Sequence, residues 1–529
     1  MNEATLLALA AAGGVAAAQW SRLPAVPILV LLGFAISWLP GSEGLRVDGE
    51  VPTLALAYLV FAAGLELEPA RLVGNLATAL RVGVAQFVVV GCLGTLVASG
   101  LGVDAAAAAT IGIGIAGSST IVGVRLLIER GQLGEAFGRV VLGVLLLQDL
   151  LMMLALAAIG SLGVDGVPFT ASPLVGIALL IAGHAVLRRL GPRWIGGHDD
   201  RPPLMILIAS SVLFAFVGIA YYTGLPLVVG AFAAGVSLSA FPVGGMIRAP
   251  IASIGIFVSA IFFVALGGSI ETPTLRDVLV AGSLLAVVVL ATPVVVAVTA
   301  LRSGLARRES IEAGLLLAQC GELTLVLAVL GLGLGILDQA SFSALSLVTV
   351  ASMMITPLLA TDRFAWWLTR RLPRRPLEAV PPIENHVVLL GCGRNSEVLL
   401  EMLRVAEVPL VVVDRDPGIV ERLRERGIES ICGEGSDPEV LRATRASRAR
   451  AVVSTMRRVA DNVRLLRRVD LDDGPLVVVR AFFDADTARL SRLGAEVVSE
   501  AEVGAAETVL VARGILAATR ARPRATQSS

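Results

Sequence analysis

The chain has 529 residues, of which 56% are hydrophobic, 16% charged and 5% aromatic. Soluble domains carry roughly a quarter charged residues, so this composition excludes a protein soluble throughout, and the high content of Leu, Val and Ala excludes disorder and collagen-like repetition. The 43 basic and 43 acidic residues cancel, which leaves no global field for nucleic acid.

Apolar segments follow one another from Ala4 to about Leu368. Their lengths suit a hydrocarbon core of roughly 30 Å, and the pattern predicts about thirteen transmembrane helices. They fall near 4–20, 25–40, 51–67, 79–102, 104–128, 136–162, 172–190, 203–222, 225–241, 250–268, 275–301, 308–334 and 340–368. The first lacks a basic flank and is read as a span rather than a cleavable signal. Alternate loops carry Arg22; Arg71 and Arg81; Arg130 and Arg139; Arg188, Arg189, Arg193 and Arg201; Arg248; Arg302, Arg307 and Arg308; and Arg370 with Arg371. Those between are short or acidic (Asp48, Asp104, Asp165, Glu271, Asp338), with Arg46 and Arg276 as exceptions. Basic loops face the cytoplasm, so the N-terminus is expected outside a cytoplasmic (inner) membrane and the C-terminus inside.

Three spans carry polar groups where hydrocarbon penalises them. Asp149, beside Gln148, sits in the middle of 136–162. A carboxylate there costs on the order of 2.5–3.5 kcal/mol on insertion scales, which points to a group that alternately holds a proton and a metal cation. The 104–128 segment contains Gly117 followed by Ser118, Ser119 and Thr120; the 308–334 segment contains Gln319, Gly321 and Glu322. Glycine followed by polar residues is how a spanning helix is broken to turn half-helix ends toward an ion. The two interruptions occupy equivalent places if two six-helix halves flank a central seventh, as in an inverted-repeat transporter.

After Trp367 the chemistry changes. Residues 370–384 read as a Pro- and Arg-rich linker, separating a transmembrane domain (1–369) from a nucleotide-binding domain (385–515); 516–529 reads as a disordered tail. Short β-branched runs at 386–390, 409–413, 429–432, 451–454 and 476–480, with a weaker one at 496–498, alternate with charged helical patterns. That alternation predicts a cytoplasmic α/β Rossmann-like domain with a parallel sheet. The first run enters Gly391, Cys392, Gly393, Arg394, Asn395 and Ser396. Gly391 permits the tight turn, Gly393 lets phosphate approach the backbone, and Ser396 replaces the usual third Gly or Ala. The second run ends at Asp414, followed by Arg415, with the carboxylate placed for ribose hydroxyls; it favours NAD(H) or an adenine nucleotide (AMP or ATP) over a 2′-phosphate. Gly433 and Glu434 open the loop after the third run. The cysteines show no metal-ligand spacing, so no metal cofactor is expected.

The stretches Phe61–Pro69, Gly117–Arg130, Gly138–Leu150, Gly224–Val236, Ile261–Glu271 and Leu315–Val326, taken in order, resemble the Kef-type monovalent cation:proton antiporters, the glutathione-regulated potassium-efflux relatives. Residues His386 to about Arg513 resemble the TrkA-N (RCK) regulatory domains. The resemblance implies Asp149 as ion- and proton-carrying carboxylate with Gln148 its neighbour. It also implies Ser119 and Thr120 at a crossing of two broken helices, with Glu322 on the second of them. Substrates would be K+ (or Na+) and H+, moved by a homodimer in the bilayer, with an ancillary cytoplasmic regulator as a further partner. Two departures stand out. The chain contains no lysine, and the helix where relatives often carry one reads VVVLATPVVVAV with Thr292 and Pro293, which suggests electroneutral exchange. Phe482 and Phe483 precede Asp484 where glutathione-gated relatives carry arginines, a departure from the thiol-peptide site, so electrophile gating is not assumed. Two other readings remain. A nucleotide-gated potassium channel needs a TVGYG-like filter, which is absent from the sequence. A membrane-tethered NAD(H)-dependent oxidoreductase needs an acid–base pair that no motif supplies.

Overall fold

The computed structural model describes residues 3–21, 23–38, 50–66, 76–130, 132–133, 135–160, 202–223, 225–239, 244–371, 383–393, 396–469, 474–481 and 484–499, with scattered positions between 175 and 189. The chain divides into two compact units, 1–303 with 307–369 and 370–529 with 304–306.

In chain order the first unit runs α1 (Glu3–Ser21), α2 (Ala25–Ile36), α3 (Glu50–Glu66), α4 (Leu76–Gly100), α5 (Ala105–Ala116), α6 (Thr120–Glu129), α7 (Ala136–Gly160) and α8 (Pro202–Tyr222). It continues with α9 (Leu227–Ser239), α10 (Gly244–Gly268), α11 (Leu275–Ala286), α12 (Thr292–Arg302), α13 (Arg307–Leu316), α14 (Glu322–Gly333), α15 (Gln339–Leu359) and α16 (Asp362–Arg371). Among the described residues, six stretches are long and apolar enough to cross a membrane: 76–100, 105–129, 137–160, 204–222, 275–302 and 339–359. Shorter apolar helices occupy most other expected spans. The expected 172–190 span falls largely outside the described residues, as do the linker core, the tail, and Arg394 and Asn395.

Helix ends are set by local chemistry. Asp104 caps α5 through Ala106 N at 3.1 Å, and Asp338 caps α15 through Ser341 N at 2.9 Å. Thr274 and Asp277 form a reciprocal capping box at the start of α11. The helices then approach closely where glycines face each other's backbone. A Cβ at Gly33 (α2) would meet Val264 O of α10, and one at Gly267 (α10) would meet Val30 O of α2; small residues allow this packing in lipid, where no hydrophobic effect drives helices together.

Two predicted spans differ from expectation. The 275–301 segment is not one α-helix: a π-helical turn, Val287–Ala291, joins α11 to α12. Pro293 has no N–H to donate, and a widened turn absorbs the missing bond. The 340–368 segment is two helices, because α15 stops at Leu359 and α16 begins at Asp362. Charge explains the division. Asp362 accepts from Arg308 Nη2 at 3.0 Å, Arg308 Nε bonds Glu312 at 2.8 Å, and the guanidinium lies 5.2 Å from the Trp366 ring centroid. Helix α16 thus docks on α13 rather than completing the span.

The second unit is a six-stranded, wholly parallel sheet in the order β3-β2-β1-β4-β5-β6. Its strands are β1 (Val387–Leu390), β2 (Leu410–Asp414), β3 (Glu429–Cys432), β4 (Ala451–Ser454), β5 (Leu476–Ala481) and β6 (Glu496–Ser499), so the weakest predicted strand pairs like the others. Helices α17 (Glu397–Val405), α18 (Pro417–Glu425), α19 (Pro438–Ala443), α20 (Val459–Leu466) and α21 (Asp484–Ser491) connect them. Alternate residues feed opposite cores: Val388, Leu390, Val413 and Val452 pack on one side, Val387, Leu389, Val412 and Val453 on the other. The strand order reverses between β1 and β4, which leaves a crevice at their carboxyl ends.

His386, just before β1, is fully buried, with its Nε2 2.8 Å from Thr444 O. Burial pushes the imidazole below its ordinary range and Arg445 adds to this, against the Thr444 bond. The folded chain therefore holds His386 neutral, whereas the unfolded chain protonates it near pH 6.5, at about the free value. Its contribution to stability is complete above that pH and is lost as pH falls toward the folded value. Limited proteolysis of the second unit in the purified chain should show a lower melting midpoint at about pH 5.5 than at about pH 7.5, with a smaller drop in His386→Gln.

Candidate functional site

A broken helix leaves N–H and C=O groups that hydrocarbon cannot satisfy, so the site is best built from where those groups go. The first break, 117–119, separates α5 from α6; the second, 317–321, separates α13 from α14. They cross and bond each other directly. Gly321 N donates to Gly117 O at 2.8 Å, and Ser118 Oγ donates to Leu317 O at 2.9 Å. One turn further along α14, Thr324 Oγ1 reaches Gly114 O at 2.7 Å. The approach is close because residue 321 is glycine: a Cβ there would sit 3.0 Å from Ser118 O.

The remaining groups of the first break turn to α4 and α7. Ser118 N donates to Gln148 Oε1 at 3.2 Å, Gln148 Nε2 donates to Gln86 Oε1, and Gln86 Nε2 donates to Ala116 O at 3.0 Å. Both glutamines are buried. Gln148 is thus a bridge that ties the break to α7.

Two carboxylates stand at this crossing. Thr120 Oγ1 donates to Asp149 Oδ2 at 2.8 Å, and Ser119 Oγ donates to Glu322 Oε2 at 2.9 Å. Consecutive residues at the junction of the first break and α6 therefore hold acids from two different helices. Ser119 also caps α6 through Val122 N at 3.3 Å, while Glu322 is the first residue of α14. Both acids lie near helix N-termini, whose partial positive charge favours anions. Gln319 is 1% exposed; its Nε2 donates to Leu316 O at 3.3 Å and its Oε1 has no protein partner.

In the second unit, Gly391 at the end of β1 has φ +92°, the left-handed region that favours glycine. A Cβ at Gly393 would meet open space. Cys392 N donates to Asp414 Oδ2 at 2.6 Å and Asp416 N to Asp414 Oδ1 at 2.9 Å, which fixes the carboxylate beside the glycine turn. Each oxygen keeps a second lone pair for a hydroxyl donor. Ser396 Oγ bonds Thr455 Oγ1 at 3.1 Å, and Thr455 Oγ1 bonds Gly391 O at 2.9 Å across the crevice. Arg415, Gly433 and Glu434 stand at and beyond the ends of β2 and β3; Gly433 N bonds Asp414 O at 2.9 Å.

Sequence reasoning passed over Gln86, Thr324 and Thr455. Gln86 was detectable, being the lone amide in the apolar run VGVAQFVVV. Thr324 and Thr455 carried no signal, since threonine is common in both settings.

The sodium/hydrogen exchanger, transmembrane family profile matches residues 6–361, and the TrkA-N domain profile matches 387–500. The chain is 25% identical over 544 aligned positions to the putative cation/proton antiporter YbaL of Escherichia coli, covering 96% of this chain and 98% of that one. It is 26% identical over 491 positions to the glutathione-regulated potassium-efflux system protein KefC of Salmonella schwarzengrund, covering 87% and 78%. The solved sodium proton antiporter MjNhaP1 of Methanocaldococcus jannaschii shares the fold, with 16% identity and a TM-score of 0.52 over 69% of this chain and 98% of that one.

The close backbone crossing makes Gly321 intolerant. Gly321→Ala should lower the thermal midpoint of the detergent-purified protein by several degrees, a loss of about 1–3 kcal/mol for overpacking. Gly333→Ala, where an added Cβ meets nothing, should leave it unchanged.

Proposed function

Because the chain belongs to the sodium/hydrogen exchanger family, we propose that it exchanges a monovalent cation, K+ in preference to Na+, for protons by alternating access, with Asp149 as the shared binding group. The chain is a transporter and not an enzyme. The observation that carries the reading is the pair Thr120–Asp149 and Ser119–Glu322, two acids held at one crossing of broken helices. A bare anion in a low-dielectric site is costly, so either a proton or a cation must neutralise it. One carboxylate that accepts either, but not both, couples the two fluxes.

Each side chain then has a role. Thr120 aims the Asp149 carboxylate at the crossing of the two breaks. Gln148 fixes the break against α7 so that the aim persists when the site changes access. Glu322 and the Gln319 amide oxygen, which has no protein partner, offer further oxygen ligands at the broken-helix ends, where a monovalent cation can be held. The KefC name favours K+ and the MjNhaP1 name Na+. Loop arginines favour an external N-terminus and a cytoplasmic C-terminal domain.

The second unit is read as a nucleotide sensor. The Gly391 turn, the open face at Gly393 and the oriented Asp414 support binding of NAD(H), AMP or ATP. The role is regulatory, and transport would respond to the bound nucleotide.

In proteoliposomes, adding K+ or Na+ should dissipate a pH gradient through the native chain and only at background rate through Asp149→Asn, with expression preserved; native-rate exchange in the variant contradicts the assignment. Calorimetry on the full chain should show nucleotide affinity falling about ten- to a hundredfold in Asp414→Ala, the loss expected for hydrogen bonds to a charged group. Equal affinity would contradict the ribose role.

A further inference from the structure

The backbone of the second break is satisfied only in part by the first. Ala318 O and Cys320 N, the groups that flank Gln319, find their partners elsewhere. Both go to one face of α15. Thr356 Oγ1 donates to Ala318 O at 2.9 Å, and Cys320 N donates to Ser352 Oγ at 3.0 Å. Ser352 spends its own proton on Thr349 O at 3.0 Å, which leaves its lone pairs turned to Cys320. The two hydroxyls are four residues apart, one turn on the same face, and their residues are 0% and 1% exposed.

We infer that Ser352 and Thr356 are positioning residues for transport: they pin the peptide groups on either side of Gln319 and so present its amide oxygen to the cation site. Gln319 lies between two anchored neighbours, and its Oε1 is buried without a protein partner. In hydrocarbon such an acceptor is costly unless it serves a ligand. The sequence gives no hint of this, because Ser352 and Thr356 belong to an apolar span and carry no charge. Neither residue touches the cation; each acts through the backbone of the break. This rests on the reading of Asp149, Gln319 and Glu322 as one cation site.

The test uses the full chain in proteoliposomes, with K+ and Na+ titrated separately against pH-gradient dissipation. Ser352→Ala and Thr356→Val should each raise the apparent KM for the cation about five- to tenfold, as expected for loss of one buried hydrogen bond, with the maximal rate within about twofold. Thr356→Ser, which keeps the hydroxyl, should restore the native KM. A merely structural role would lower yield or maximal rate and leave KM alone, and that result overturns the inference. Amide hydrogen exchange supplies a readout independent of transport. Peptides spanning 317–321 should exchange faster in Ser352→Ala than in the native protein, while those of α5 should not; equal exchange also overturns it. If the native chain itself moves no protons on adding either cation, the antiport reading falls, and the transport role of this pair falls with it.

Discussion

Peptide groups inside a bilayer must find partners within the protein, and this constraint organises the whole transmembrane unit. An unbroken helix meets it locally. Two helices broken at mid-membrane cannot, so their loose ends must be met by each other and by their neighbours. Gly321 N on Gly117 O and Ser118 Oγ on Leu317 O join the breaks to each other. Gln86 and Gln148 tie the first break to α4 and α7, and Ser352 and Thr356 tie the second to α15. At the same crossing, Ser119 and Thr120 donate their side-chain hydroxyls to acids. The proposed ion site thus sits where the two breaks meet.

Much of this was legible in the sequence because expensive residues announce themselves. Asp149 at mid-span, and Gly followed by polar residues at 117–120, have few explanations in hydrocarbon. The pairings were not legible. Nothing local says that Thr120 holds Asp149, 29 residues away, or that Ser119 holds Glu322, 203 residues away. The end of α15 was also hidden, since Trp366 and Trp367 extend the apolar run while Asp362 and Arg308 decide the docking.

In the second unit the balance was different. Parallel strands buried on both faces read as continuous β-branched runs, so the strands and the glycine turn could be placed from the pattern alone. Strand order and register depend on crossovers and required the structure. Asp414 illustrates both sides. Its position at a strand end identified it, but only the structure reveals that two backbone N–H groups, from Cys392 and Asp416, already fix its orientation.

Competition between H+ and a cation for Asp149 is the centre of this account, and proton release measures it without any gradient or second compartment. In a weakly buffered detergent solution, adding K+ or Na+ to the native protein should release close to one proton per chain, with the half-maximal concentration rising as pH falls. The Asp149→Asn protein should release none. Equal release from both proteins, or cation binding with no pH dependence, would contradict it.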